Sequence, residues 1–228
     1  MPSARAPHHS PAVLKPMHSG FYDEVERAQR GTLPVLITVK DIRGELHAHS
    51  TSSDGSHSIE QMAIAARDFG YEYIGITDHS QSLKIAAGVP VDDLWKQIRF
   101  IDKLNSRLAG ICVLKLAEVD ILADGSLDYP DELLKELDYT VCSVHSRFSF
   151  GKPEQTQRIL RAMDNRYFNI LGHATGRLLL KRAGYELDMD RIIRHARQNC
   201  CFFEINSSPY RLDLSAENAR LANEACVV

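Results

Sequence analysis

Residues 70–80 read GYEYIGITDHS, and this stretch contains one whole joint of the fold. Gly70 is the stop that a preceding helix needs, Tyr73 to Thr77 is an apolar run of strand length, and His79 stands just past its end. A run that is apolar at consecutive positions is buried on both faces, as the strands of parallel sheets are. Helix, strand and polar strand end therefore follow one another, the order of an alternating α/β chain.

The same order repeats on both sides. Upstream, Ser58 to Gln61 has the spacing of a capping box, and Ile59, Met62, Ala63 and Ala66 make the apolar stripe of the helix that Gly70 closes. Before it, DIRGELHAHSTSSDG (41–55) opens the first strand, whose end carries His47 and His49. Downstream, Asp92 or Asp93 is expected to cap a helix with Leu94, Ile98, Ile101, Leu104 and Leu108 inward, leading to a strand at Cys112–Leu116 and then Glu118. A short helix from Pro130 to Leu137 precedes a strand at Tyr139–Val144, which ends on His145. Pro153 opens a helix leading to Phe168–Leu171 and His173, Asp188 or Asp190 caps the next, Cys201–Ile205 is a sixth strand, and Ser215 caps the last helix.

Strands separated by helices at intervals of roughly 25 to 35 residues pair in parallel through right-handed crossovers. The expected fold class is α/β, a distorted (β/α)7 barrel of the TIM-like kind, with Val227 and Val228 at the start of a seventh strand that is otherwise missing. Residues 1–40 read as a linker or leader: the Pro-, Ser- and His-rich first 20 have no periodicity, His8 and His9 are uninvolved, and a short helix runs from Phe21 to Arg30. Residues 41–228 read as one α/β domain, incomplete at its C-terminus.

Composition narrows the function. Lys plus Arg number 27 against 30 Asp plus Glu, a net charge of -3, which lacks the basic excess of a dedicated nucleic-acid binder and leaves any phosphate grip to local groups. The five cysteines lack CxxC spacing and read as reduced residues of a cytoplasmic protein. No apolar run reaches the ~18 residues of a membrane span or makes a signal peptide, so no membrane partner is expected.

Five of the ten histidines and one acid stand at strand ends: His47, His49, His79, Glu118, His145 and His173. In a parallel barrel all strand C-termini share one rim, so these groups converge there. His47 and His49 alternate along the chain and so share a face, able to reach one cation. Asp54, in the turn Ser53-Asp54-Gly55, is expected to join them, and Asp78 is expected to orient the His79 ring. Glu118 ends an apolar strand, where a carboxylate is costly to desolvate unless it bridges cations; such a bridge puts it within roughly 6 Å of His49 and His145. Imidazole mixed with carboxylate suits zinc, manganese or iron better than magnesium. Arg177, with Lys181 and Arg182 behind it, is placed to contact phosphate or to begin a solvated helix. Glu204 and Asn206 lie at a further strand end as supporting groups, and His57 and His195 fall outside the set.

These motifs resemble the polymerase and histidinol phosphatase (PHP) domain, in the version fused to bacterial family-X DNA polymerases. DIRGELHAHSTSSDG, GYEYIGITDHS, EVDILADGSLDYPDE, SVHS, ILGHATGRLL and EINSSPYRLDLS carry the likeness, from about residue 41 onward. The resemblance implies up to three divalent transition metals, manganese first, with zinc or iron as alternatives. It implies that His47, His49 and Glu118 hold the first, that Glu118, His145 and His173 hold the second, and that Asp54 and His79 serve the third. An Asp-x-His pair that completes the first and third sites in such families has no counterpart before Val228.

The implied activity is phosphoesterase or 3'-5' exonuclease chemistry, by attack of a metal-activated hydroxide on phosphorus, with Glu118, His145 and Arg177 as the groups nearest the reaction. The substrate is a nucleic-acid 3' end or a small phosphate ester. The alternatives are a phosphomonoesterase resembling histidinol phosphatase and an inactive, truncated fragment. An amidohydrolase barrel, which also opens with HxH, uses a bridging lysine where this chain offers Glu118.

Overall fold

The computed structural model describes residues 21–33 and 35–228. The reading of residues 1–20 as a leader, with His8 and His9, lies outside them. The chain divides into two compact units between Ile42 and Arg43. In the first, α1 (Phe21–Gln29) ends before Gly31, and Thr38 donates from its backbone N and its Oγ1 to Asp41 Oδ2, both at 2.8 Å.

The second unit alternates strand and helix as the periodicity requires. Its strands are β1 (Gly44–Ala48), β2 (Tyr73–Ile76), β3 (Cys112–Lys115), β4 (Glu118–Asp120), β5 (Val141–Ser143), β6 (Ile170–Leu171) and β7 (Phe202–Phe203). The helices between and after them are α2 (Ile59–Phe69), α3 (Val91–Arg107), α4 (Asp131–Leu134), α5 (Lys152–Met163), α6 (Met189–Asn199) and α7 (Ala216–Glu224). The single third strand of the sequence reading is broken at Leu116 and Ala117 into β3 and β4, so β7 is the sixth expected strand. All neighbours pair in parallel, in the orders β1-β2-β3 and β4-β5-β6-β7. The two groups are stitched where Glu118 N donates to Asp78 O at 3.1 Å and Ser80 N to Glu118 O at 2.9 Å.

Helix signals behave as their chemistry dictates. Ser58 Oγ accepts from Gln61 N while the Gln61 side chain accepts from Ser58 N, and Gly70 takes the left-handed φ of 96° that ends α2. Asp188 and Ser215 cap α6 and α7. The start of α3 differs from the expectation: Pro90 occupies the cap position and Asp92 and Asp93 fall inside the first turn. A cap needs only its carbonyl to begin the ladder, which Pro90 supplies to Leu94 N, and the two acids meet the positive end of the helix dipole.

Apolar side chains from both groups of strands are buried beneath the helices. Ile76, Leu104 and Val113 pack in one cluster and Val119, Ile159 and Leu171 in another, each side chain contributing about 1.5–3 kcal/mol on burial. Because every strand runs the same way, every C-terminal end reaches one edge. The sheet curls: residues of β1, β2, β3, β5, β6 and β7 line one cavity of about 960 Å³, and His47 of β1 touches Glu204 beside β7. Among the described residues no ladder joins β1 to β7. Val227 lies alongside β7, its carbonyl accepting from Phe203 N at 2.7 Å.

Candidate metal centre

The strand ends bring five imidazoles around one carboxylate. Glu118 is 1% exposed. Its Oε2 faces His47 Nε2 at 3.2 Å, His49 Nε2 at 3.5 Å and His79 Nδ1 at 3.0 Å. Its Oε1 faces His145 Nε2 at 3.3 Å and His173 Nε2 at 2.8 Å. The separations from His49 and His145 fall well inside the span that a bridged carboxylate allows.

Asp54 stands at the mouth, 3.5 Å from His49 Nδ1 and 3.6 Å from His79 Nε2. Gly55 makes that position reachable. Its N–H donates to Ser50 O at 2.9 Å, and a Cβ there would stand 2.0 Å from His49 O. Three compact donor groups result: His47, His49 and Glu118; His49, Asp54 and His79; and His79, Glu118 and His145. His173 joins through Oε1 of Glu118. His49 and His79 each stand in two of these groups, and His79 faces Glu118 as well as Asp54.

Outer carboxylates fix the rings. His47 Nδ1 donates to Glu204 Oε1 at 2.6 Å, and His145 Nδ1 donates to Asp120, which turns both Nε2 atoms toward Glu118. Glu204 Oε2 also accepts from His173 N at 2.6 Å. Glu204 was expected among the supporting groups. Asp120 was not, although it follows Glu118 by two residues and so lies on the same face of β4.

Asp78 has a different job from the one expected. Its oxygens accept from Ser50 N at 2.7 Å, Ser50 Oγ at 2.7 Å, Ser53 Oγ at 2.6 Å and Gln97 Nε2 at 3.1 Å. It therefore pins the turn that follows His49 rather than the His79 ring. Arg177 also departs from its expected place: its Nε donates to Arg211 O at 2.8 Å and its Nη2 to Leu212 O, so the guanidinium braces a loop. Phosphate would have to compete with those carbonyls.

The electrostatics follow from crowding. Burial would lower the His47 pKa, but Glu118 and Glu204 overcome it and raise it to about 10. At His145 burial is likewise outweighed, by bonds to Asp120 and Glu118, and the pKa rises to about 9. Burial pushes Glu118 up, yet the charge of His47 and the bonds from His145, His173 and His47 hold it well below the usual carboxylate range. At His49 burial prevails and the pKa falls.

Such a set suits divalent cations. His49 Nδ1 and His79 Nδ1 are buried and make no hydrogen bond although they face Asp54 and Glu118, the condition of ligand atoms reserved for something other than protein. Nitrogen and carboxylate donors in compact triples match the preferences of zinc, manganese and iron.

A parallel α/β sheet with a histidine and carboxylate cluster on its C-terminal rim defines a class, a candidate metal-binding α/β domain, and family narrows it. The chain belongs to the PHP domain family, whose model matches residues 45–208. It is 46% identical over 191 residues to the DNA polymerase/3'-5' exonuclease PolX of Bacillus subtilis, a match covering 83% of this chain and 33% of that protein. A probable phosphatase of Acetivibrio thermocellus is 28% identical over 170 residues, 73% of this chain and 66% of that protein. Among solved structures, histidinol phosphate phosphatase of Lactococcus lactis, complexed with zinc, L-histidinol and phosphate, shares the fold with a TM-score of 0.52 at 15% identity, over 80% of this chain and 79% of that one. The chain thus spans a third of its polymerase relative and about two thirds of the phosphatase relative. No helix among the described residues is long and apolar enough to cross a membrane.

Proposed function

We propose that the chain is a phosphodiesterase that trims nucleic-acid 3' ends in the 3'-5' direction, using divalent cations held by His47, His49, Asp54, His79, Glu118, His145 and His173. The observation that carries the reading is the buried Glu118, with imidazole nitrogens facing both of its oxygens. The polymerase relative supplies the substrate class, and the curl that brings Glu204 to His47 supports a barrel-type arrangement with the mouth at this rim. Manganese is the first choice of cation, zinc and iron follow, and the cytoplasm is the compartment.

Bound cations would supply a hydroxide nucleophile at neutral pH and neutralise charge developing on phosphorus. The protein's own contribution is arrangement. Glu118 stays ionised, and Glu204 and Asp120 hold the His47 and His145 rings with Nε2 turned inward. With both ring nitrogens of His145 engaged, by Glu118 and by Asp120, the leaving oxygen takes its proton from water. Asp78 keeps the Ser50–Gly55 turn, and with it Asp54, against the site.

Manganese-loaded protein is expected to shorten a 5'-labelled single-stranded DNA one nucleotide at a time, and Glu118→Gln to lose about a hundredfold or more of that rate. Hydrolysis of small phosphate esters with intact DNA would instead select the phosphomonoesterase reading, which the probable-phosphatase relative favours.

A further inference from the structure

Two loops leave the candidate centre side by side, one after His173 and one after Glu204. They are laced together. Leu179 N donates to Tyr210 O at 2.8 Å, Arg177 Nε to Arg211 O at 2.8 Å, and Thr175 N and Oγ1 both to Asp213 Oδ2 at 2.9 Å. Arg182 donates to Gly176 O from Nε and Nη2, at 3.2 and 2.7 Å, and its guanidinium lies 4.1 Å over the Phe148 ring. A stretch without helix or strand is thereby fixed as a ledge.

Its outer surface is unusual for a loop pair. Tyr210 is 69% exposed and Leu180 fully so, with Leu179 and Leu212 exposed beside them. Exposed apolar groups gathered in one patch mark a surface that another molecule covers. The charge is also one-sided. Residues 174–185 and 205–213 contain Arg177, Lys181, Arg182 and Arg211 against the buried Asp213, while the acids that follow, Glu186 and Asp188, lie at the far end of the loop, where Asp188 caps α6. An outward aromatic ring among cations is the surface that single-stranded nucleic acid takes, with bases stacked on the ring and phosphates met by lysine and arginine. A peptide partner has no such match, because its negative charge is not spaced with flat faces.

We propose that this ledge is the binding platform for the single-stranded nucleic acid leading into the centre, with Tyr210 stacking a base, Leu180 packing against its neighbour, and Lys181 contacting an intervening phosphate. This rests on the nucleic-acid reading above and assigns its substrate track. Tyr210 follows Glu204 by six residues, so it lies within about 20 Å of the cluster even if the loop were fully extended. Arg177 is the internal brace of the ledge, which explains why its guanidinium faces carbonyls.

The test is fluorescence anisotropy with the full chain and a labelled thymidine oligomer of about 12 nucleotides, carrying phosphorothioate links that resist cleavage. Tyr210→Ala is expected to weaken binding about 5- to 100-fold, and Tyr210→Trp to keep or tighten it. Lys181→Gln is expected to reduce the salt dependence by about 0.7 in log–log slope. The ring is exposed, so an unchanged thermal midpoint checks the fold of each variant. Equal binding by Tyr210→Ala, or no binding by the parent chain, overturns the platform. The two proposals fail separately: DNA bound through Tyr210 but not shortened sinks the exonuclease reading alone, whereas DNA shortened and bound equally well by Tyr210→Ala sinks the platform alone.

Discussion

Removal of the Asp78 carboxylate tests how the centre is built. The side chain is 1% exposed and receives four donors, three of them from the turn that carries Asp54 toward the cluster. A hydrogen bond to a charged group contributes about 1.5–3 kcal/mol, and a buried donor left alone costs about 1–3 kcal/mol. The bonds share one acceptor and are not additive, so Asp78→Ala is expected to cost about 4 kcal/mol, a large part of the 5–15 kcal/mol typical of a domain. At about 2–4 °C per kcal/mol for a domain of this size, the thermal midpoint falls by about 8–16 °C. Asp78→Asn keeps one acceptor oxygen but turns an amide N–H₂ toward other donors, and should lose about half as much. Urea denaturation gives the free energy, and elemental analysis gives metal content, which should drop first at the group formed by His49, Asp54 and His79. An Asp78→Ala protein within about 1 kcal/mol of the parent and equally loaded would refute the reasoning.

Other perturbations probe neighbouring parts. Arg158 is 2% exposed and donates to Leu122 O at 2.7 Å, Ser146 O at 2.9 Å and Ile121 O, tying the end of β4 to the residue after His145. Arg158→Met should strand those carbonyls and lower stability by about 3 kcal/mol in chemical denaturation; a loss below about 1 kcal/mol would show that they find other partners. Gly55→Ala places a Cβ against the His49 carbonyl, so metal titration should show weakened uptake by the Asp54 group with the rest retained. In metal-free protein His47 and His145 have pKa values raised to about 10 and about 9 from an ordinary value near ~6.5. Raised folded values mean that their stabilisation is complete below pH ~6.5 and is lost as the pH climbs through about 9 and 10. Cation uptake must displace those protons, so calorimetry in buffers of different ionisation enthalpy should show proton release and tighter binding at higher pH. Uptake without proton release would contradict it.

Much of this is legible in the sequence. The apolar runs located the strands, and parallel pairing gathered their ends, so the histidines converge because of topology rather than local sequence. Asp120 could have been found by the alternation that paired His47 with His49, since EVD places two acids on one face of β4. The bonds of Asp78 could not: Ser50 precedes it by 28 residues and Gln97 follows it by 19, and nothing local announces either partner. Arg177 looked like a phosphate ligand because cations after a strand end suggest one, but carbonyls of a loop more than thirty residues away claimed it. The break between β3 and β4 has no evident signal in LKLAEVD.

The central claim is that Glu118 joins cations at the strand ends. Anomalous diffraction from manganese- or zinc-loaded crystals tests it most directly. The account predicts peaks on both sides of the Glu118 carboxylate, about 2.0–2.2 Å from its oxygens and from the Nε2 atoms of His47 and His145. Loaded crystals with no anomalous peak within bonding distance of Glu118, or with metal retained there by Glu118→Ala, would contradict it.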